Sequence, residues 1–384
     1  MKLKLGIVLL AALSISGCDW FRGLNKDGVD PPAELADFAA TARFTPLWSR
    51  DLGGGGSDEG LRLQPTLLGD RVYATSLSGG VSAINADTGA VLWTSAAGLR
   101  TSTSPGVDPV LVVVGTLDAK VLAFSAQTGA ELWRADASAE LIAAPAVSAT
   151  TVVVRSHDGR VFGLDAADGR RKWVFDRSVP LLSLRGNGAP VIVGSSVIVP
   201  FDSGQIFSLA LETGVLEWEQ ALAQGEGRTE LERMVDIDGS VTIEGSTIYA
   251  VSYQGRVGAL ALDSGRVLWN RDFSAYGGVA ANSTVVAASD ASGSVFAFDE
   301  ASGAAAWSQK ALANRFLSSP AISGDYIVVG DLEGWLHALA ATDGALAARI
   351  RVSGEPIRGA PIASGDRIYL QDVDGRLAAF QLGN

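Results

Sequence analysis

The chain has 384 residues, and 30 Lys plus Arg against 42 Asp plus Glu leave a formal net charge of −12. That balance argues against nucleic acid as a main partner, because phosphate binding needs clustered basic side chains. One Cys and two His (His157, His337) exclude a disulfide framework or a multi-Cys metal site, and they leave little for His-based chemistry.

In chain order, the first element is an address. Lys2 and Lys4 precede an apolar stretch from Leu5 to Ile15, and small residues Ser16 and Gly17 precede Cys18. This is the layout of a secretory signal over residues 1–17. The stretch is shorter than the roughly 20 apolar residues a spanning helix needs. The run Ile15-Ser16-Gly17-Cys18 resembles a bacterial lipobox, which implies lipidation at Cys18. Residues 18–43, with Pro31-Pro32, then read as an acylated Cys and a flexible tether reaching roughly 25–30 Å.

From residue 44 onward the chain repeats. An alternating apolar stretch leads to Asp or Asn, then a Gly turn, then Trp four residues later. Gly80 to Asn85 leads to Thr88-Gly89 and Trp93; Val121 to Phe124 leads to Thr128-Gly129 and Trp133. Further copies end at Gly169 with Trp173, Gly214 with Trp218, Gly265 with Trp269 and Gly303 with Trp307. At Gly344 the Trp is missing, and Arg349 stands one residue beyond its place. Each copy has a front half of two short strands, beginning near residues 65, 105, 145, 190, 239, 278, 320 and 361. Four short strands per unit of about 40 residues predict an all-β chain forming a β-propeller, here with eight blades over residues 44–384. The eighth unit stops at Phe380–Leu382 without its outer strand. Phe44 to Trp48 supplies that strand and closes the ring, removing open edges.

The repeated Trp residues read as packing between blades, and the Asp, Thr and Gly of the turns as turn chemistry. No catalytic, cofactor-binding or metal-binding residue is assigned. Gly53–Gly56 precedes no helix and no Lys, so it is a loop and not a phosphate cradle.

Two spacings between turn glycines are enlarged well beyond the usual 40: 45 residues before Gly214 and 51 before Gly265. They place long connectors at 176–188 and 219–238, both running from an outer strand to the next inner strand. In an up-and-down blade such connections share one face, so the two form a single candidate contact surface. The first offers Leu182, Leu184 and Arg185, with Arg favoured at binding hot spots. The second holds six acids against Arg228 and Arg233.

The repeat resembles that of the pyrroloquinoline-quinone enzymes, without a Cys in the ring. More specifically, Ser183-Leu184-Arg185-Gly186 with Ala189-Pro190, and Arg233 with Asp236-Ile237-Asp238, resemble the signature loops of the BamB family. Members of that family are lipoprotein subunits of the outer-membrane β-barrel assembly machine. The resemblance implies a non-enzymatic scaffold without a cofactor. Leu182, Leu184, Arg185, Arg233, Asp236 and Asp238 would dock it on the POTRA domains of BamA. It also implies indirect contact with other subunits, with unfolded outer-membrane proteins, and with the periplasmic face of the outer membrane through the lipid. Asp19 after Cys18 resembles an inner-membrane retention signal, so the membrane stays open. Two alternatives remain: a quinone- and calcium-dependent periplasmic dehydrogenase, and a propeller binding an envelope ligand.

Overall fold

A computed structural model describes residues 30–54, 60–177, 186, 188–225, 228, 229, 231, 232 and 234–383. Among these residues there is no helix, and the strands form eight four-stranded antiparallel sheets. Blade 1 runs Thr66–Leu68, Arg71–Thr75, Gly80–Asn85 and Val91–Ala96, each strand bonded to the next. Blades 2 to 7 repeat this order from Gly106, Ala146, Val191, Thr242, Val279 and Ala321. Each blade is sandwiched by its neighbours, so the centres of the middle strands are buried and mostly apolar. Leu111–Gly115 of blade 2 is buried at every position, whereas the outer strand Glu131–Asp136 buries little beyond Trp133.

Ring closure follows the expectation. Ile362–Ser364, Arg367–Gln371 and Arg376–Gly383 make three strands of blade 8, and Arg43–Asp51 adds the fourth. The register runs from Arg43 opposite Gly383 to Asp51 opposite Arg376.

The turns between third and fourth strands define a lower rim, where the Trp–Gly spacing finds its physical reason. Each Trp follows a β-bulge in its outer strand; Trp93 pairs with Ala83 and the register then shifts. The bulge re-aims the side chain. Its indole lies on the turn Gly of the next blade: a Cβ on Gly129 would sit 2.5 Å from Trp93, and one on Gly169 the same distance from Trp133. These glycines also have φ of +72° and +74°, so the turn and the close approach both require Gly. The indole N–H donates to the carbonyl three residues before that Gly, as in Trp48 to Ala86 (2.9 Å), Trp133 to Ala166 (2.9 Å) and Trp269 to Glu300 (2.8 Å).

Between blades 7 and 8 the arrangement differs. Ala348 occupies the Trp position, opposite Ala338. The N-terminal segment packs there instead. Thr41 and Ala42 donate to the Ala347 carbonyl, and Arg349 donates to Ala36 and lies 5.3 Å from the Phe38 ring; nearer the start of the segment, Arg315 of the connector into blade 7 donates to Ala33. The tether expected over 18–43 is thus fixed to the ring in its described part, 30–42. The reason is sequence-local: small and apolar side chains such as Ala33, Leu35 and Phe38 can follow the side of blade 7.

Candidate functional site at the upper rim

The opposite, upper rim carries the hairpins between second and third strands and the connectors from each outer strand to the next blade. Both enlarged connectors lie here and meet. A Cβ on Gly186 of the first would be 1.8 Å from Asp238 Oδ1 of the second, and one on Gly188 would be 2.6 Å from the Ile237 carbonyl. Only Gly permits so close an approach. Leu182, Leu184, Arg185 and Arg233 lie outside the described residues, as does Cys18.

Asp236 and Asp238 are described, and they are not surface charges of an acidic loop. Asp236 is 0% and Asp238 4% exposed. Met234, Val235 and Ile237 are buried around them, and Ile237 packs with Ile198, Ile206 and Leu222 between blades 4 and 5. The apolar residues of this stretch draw the acids inward. The Asp236 carbonyl accepts the Tyr253 N–H at 2.8 Å.

Beneath the junction lies a buried ion pair that the sequence reading missed. The last residue of the second strand is Thr75, Gly115, Pro200, Val251, Ser289, Gly330 or Gln371 in seven blades and Arg155 in blade 3. The next position is usually Ser, Thr or Asp, whose oxygen caps the hairpin: Lys120 N–H to Thr116 at 3.0 Å, Arg256 N–H to Ser252 at 2.9 Å, Trp335 N–H to Asp331 at 2.9 Å. In blade 4 it is Phe201. The two exceptions face each other. Arg155 Nη2 is 2.5 Å from Asp202 Oδ1, its guanidinium carbon is 5.0 Å from the Phe201 ring, and Nη1 donates to the Gly188 carbonyl at 3.4 Å. A charged residue ending the apolar run Thr151–Val154 was the available signal.

The electrostatics of the cluster are unbalanced. Burial, with Asp236 and Asp202 nearby, pushes the Asp238 carboxyl up to about 7, against the pull of Arg62 and Arg155. Asp238 Oδ1 has no hydrogen-bond partner among the described residues. Arg62 reaches the cluster from the connector into blade 1, and it lines the narrow throat of the ring with Arg358 and Asp238. The arrangement joins two connectors to blades 3, 4 and 5 through groups that are costly to expose or unpair. It can hold a loop pair in one geometry, which is what a docking surface requires. Among the described residues no group of three or more His, Cys, Asp or Glu is placed to hold a metal ion.

Comparison with known proteins places the chain. A family model described as "Outer membrane protein assembly factor BamB" matches residues 42–105, 77–309 and 291–383. The BamB of Pseudomonas aeruginosa is 51% identical over 329 residues, covering 86% of each chain. That of Xanthomonas campestris is 42% identical over 348 residues, again 86% of each. The crystal structure of BamB from Moraxella catarrhalis superposes with a TM-score of 0.81 at 28% identity, covering 88% of this chain and 99% of that one. A quinohemoprotein alcohol dehydrogenase from Comamonas testosteroni superposes at 0.69 with 15% identity, over 88% of this chain and 76% of that one, a likeness of fold alone. The chain belongs to the BamB family of outer membrane protein assembly factors.

Proposed function

We propose that the protein is a non-catalytic scaffold in outer-membrane protein assembly, docking on the POTRA domains of BamA through the upper rim at blades 3 to 5 and assisting insertion of β-barrel proteins. The observation that carries this reading is the seating of Gly186 against Asp238, which brings two overgrown connectors into one surface. In this reading Leu182, Leu184, Arg185 and Arg233 touch the partner. Asp236 and Asp238, being buried, act as positioning groups that hold the connectors. Family membership supports the assembly role. Other subunits of the machine are reached through BamA, and unfolded outer-membrane proteins are handled in its company.

A lipid at Cys18 would hold the protein on the periplasmic face of the outer membrane. Asp30 lies twelve positions after Cys18, at most about 43 Å fully extended. The described chain starts beside Ala313 and Asn314 in the upper-rim connector into blade 7, so the anchor would leave from the docking face.

The test is capture of BamA by the lipidated protein. Arg185→Ala, or Leu182→Ala with Leu184→Ala, should weaken capture about tenfold, or 1–2 kcal/mol, with an unchanged melting temperature. Capture at wild-type strength by both variants would overturn the docking assignment.

A further inference from the structure

Across the upper rim from the docking connectors, a cavity of about 530 Å³ opens among blades 6, 7 and 8. Its size falls within the roughly 300–1,000 Å³ of small-ligand sites. Leu317, Leu332 and Pro356 give it an apolar wall, and Arg62 and Arg358 a cationic one. Arg62 donates to the Tyr276 carbonyl, and its guanidinium is pushed below its ordinary range by burial and by Arg358, with Asp238 opposing. Arg358 makes no hydrogen bond or ion pair among the described residues. Two guanidinium groups side by side gain from an anion between them.

A second, independent observation points the same way. Ser289 lines the cavity, is 7% exposed, and its hydroxyl has no hydrogen-bond partner among the described residues. An unpaired buried hydroxyl costs about 1–3 kcal/mol, which a ligand atom would recover. At the lip, Phe316 is 60% exposed with φ of +46°. A bulky side chain is uncommon in the left-handed region, and here its aromatic ring stands in water beside the opening.

We propose that this cavity binds an apolar carboxylate. Its carboxylate would sit against Arg358 and Arg62, its body against Phe316, Leu317 and Pro356, and Ser289 would bond a polar atom of the ligand. A carboxylate is favoured over a dianionic phosphate because Asp290 lines the cavity and Asp238 stands near Arg62. The planar guanidinium matches the two carboxylate oxygens. The chemistry has two sources, a free small acid and the last residue of a polypeptide. This inference does not rest on the docking reading.

The experiment is calorimetric titration of the mature protein with 3-phenylpropionate, its amide, and a short peptide ending in Phe with a free or amidated C-terminus. The acid and the free-ended peptide should bind and the amides should not. Tighter binding of the peptide identifies polypeptide ends as the source, and equal binding identifies free acids. Arg358→Gln should weaken binding about tenfold or more, and Ser289→Ala about threefold, at unchanged melting temperature. Ser289→Ala should capture BamA as the wild type does. Equal binding of acid and amide, no binding by either free carboxylate, or full-strength binding by Arg358→Gln would overturn the proposal.

Discussion

The two rims of the ring solve different problems with the same repeat. At the lower rim seven of the eight junctions use one device, an indole on a glycine turn with its N–H bonded to a carbonyl. At the upper rim, blades 3 to 5 replace a small residue by Arg155 and a capping residue by Phe201, and they bury Asp202, Asp236 and Asp238. The lower device is hydrophobic, local and interchangeable between blades. The upper one is ionic and costly to desolvate, and a second buried pair, Arg315 with Asp331, stands at the same rim in blade 7. A ring needs the first to exist, and buried ion pairs of the second kind mark out particular sectors.

The contrast can be broken hardest at the lower rim. Trp133→Ala leaves a cavity and an unbonded Ala166 carbonyl, and should cost about 3–5 kcal/mol in urea unfolding. The same change at Trp93 or Trp173 should cost a similar amount, since these junctions share one geometry. A cost confined to one of them would refute their equivalence.

Arg155→Met is the matching test above. It strands Asp202, which is 3% exposed, and should cost slightly less, about 3–4 kcal/mol. Adding Asp202→Leu should recover most of that stability, because an apolar pair can replace a buried ion pair. Capture of BamA should stay weakened, since the Gly188 carbonyl loses its donor. Restored capture would mean that the ion pair serves folding alone.

The third effect concerns pH. Asp238 titrates near 7 in the folded protein against 3.8 for the free group. The unfolded chain therefore releases this proton first. Stability from this group is intact below about pH 4 and falls as pH rises to about 7, by at most about 4 kcal/mol. Asp238→Asn should flatten that slope in melting curves taken across the interval. An unchanged slope would show that the carboxyl is ionised throughout.

The same contrast sets what could be read in the sequence. Strand number, blade number and the closing strand were legible because Gly89, Gly129 and Gly169 and their Trp partners recur at fixed spacing, and because the eighth unit lacked a strand that Phe44–Trp48 could supply. The upper cluster was legible only as two long connectors. Arg155 and Asp202 are 47 residues apart, and Arg62 and the Tyr276 carbonyl 214, so no local pattern joins them. Asp236 and Asp238 read as part of a charged loop because nothing in the sequence shows Ile237 entering the space between blades 4 and 5. The same blindness hid the cavity of Arg62, Arg358 and Ser289, whose members come from the entries to blades 1 and 8 and from the second strand of blade 6.

The eighth junction is the mildest probe of the comparison. It has no indole, and its turn is replaced by the two chain ends, so residues 36–42 fill the space with backbone bonds and the Arg349–Phe38 contact. Arg349→Ala should therefore cost only about 0.5–1 kcal/mol, the range of an exposed cation–π pair. It should also speed proteolytic cleavage between residues 30 and 42 without lowering the cooperativity of ring unfolding. If that variant instead unfolded as steeply as Trp133→Ala, the N-terminal segment would be the eighth indole in function, and closure would depend on the chain's first ordered residues as much as on its last strand.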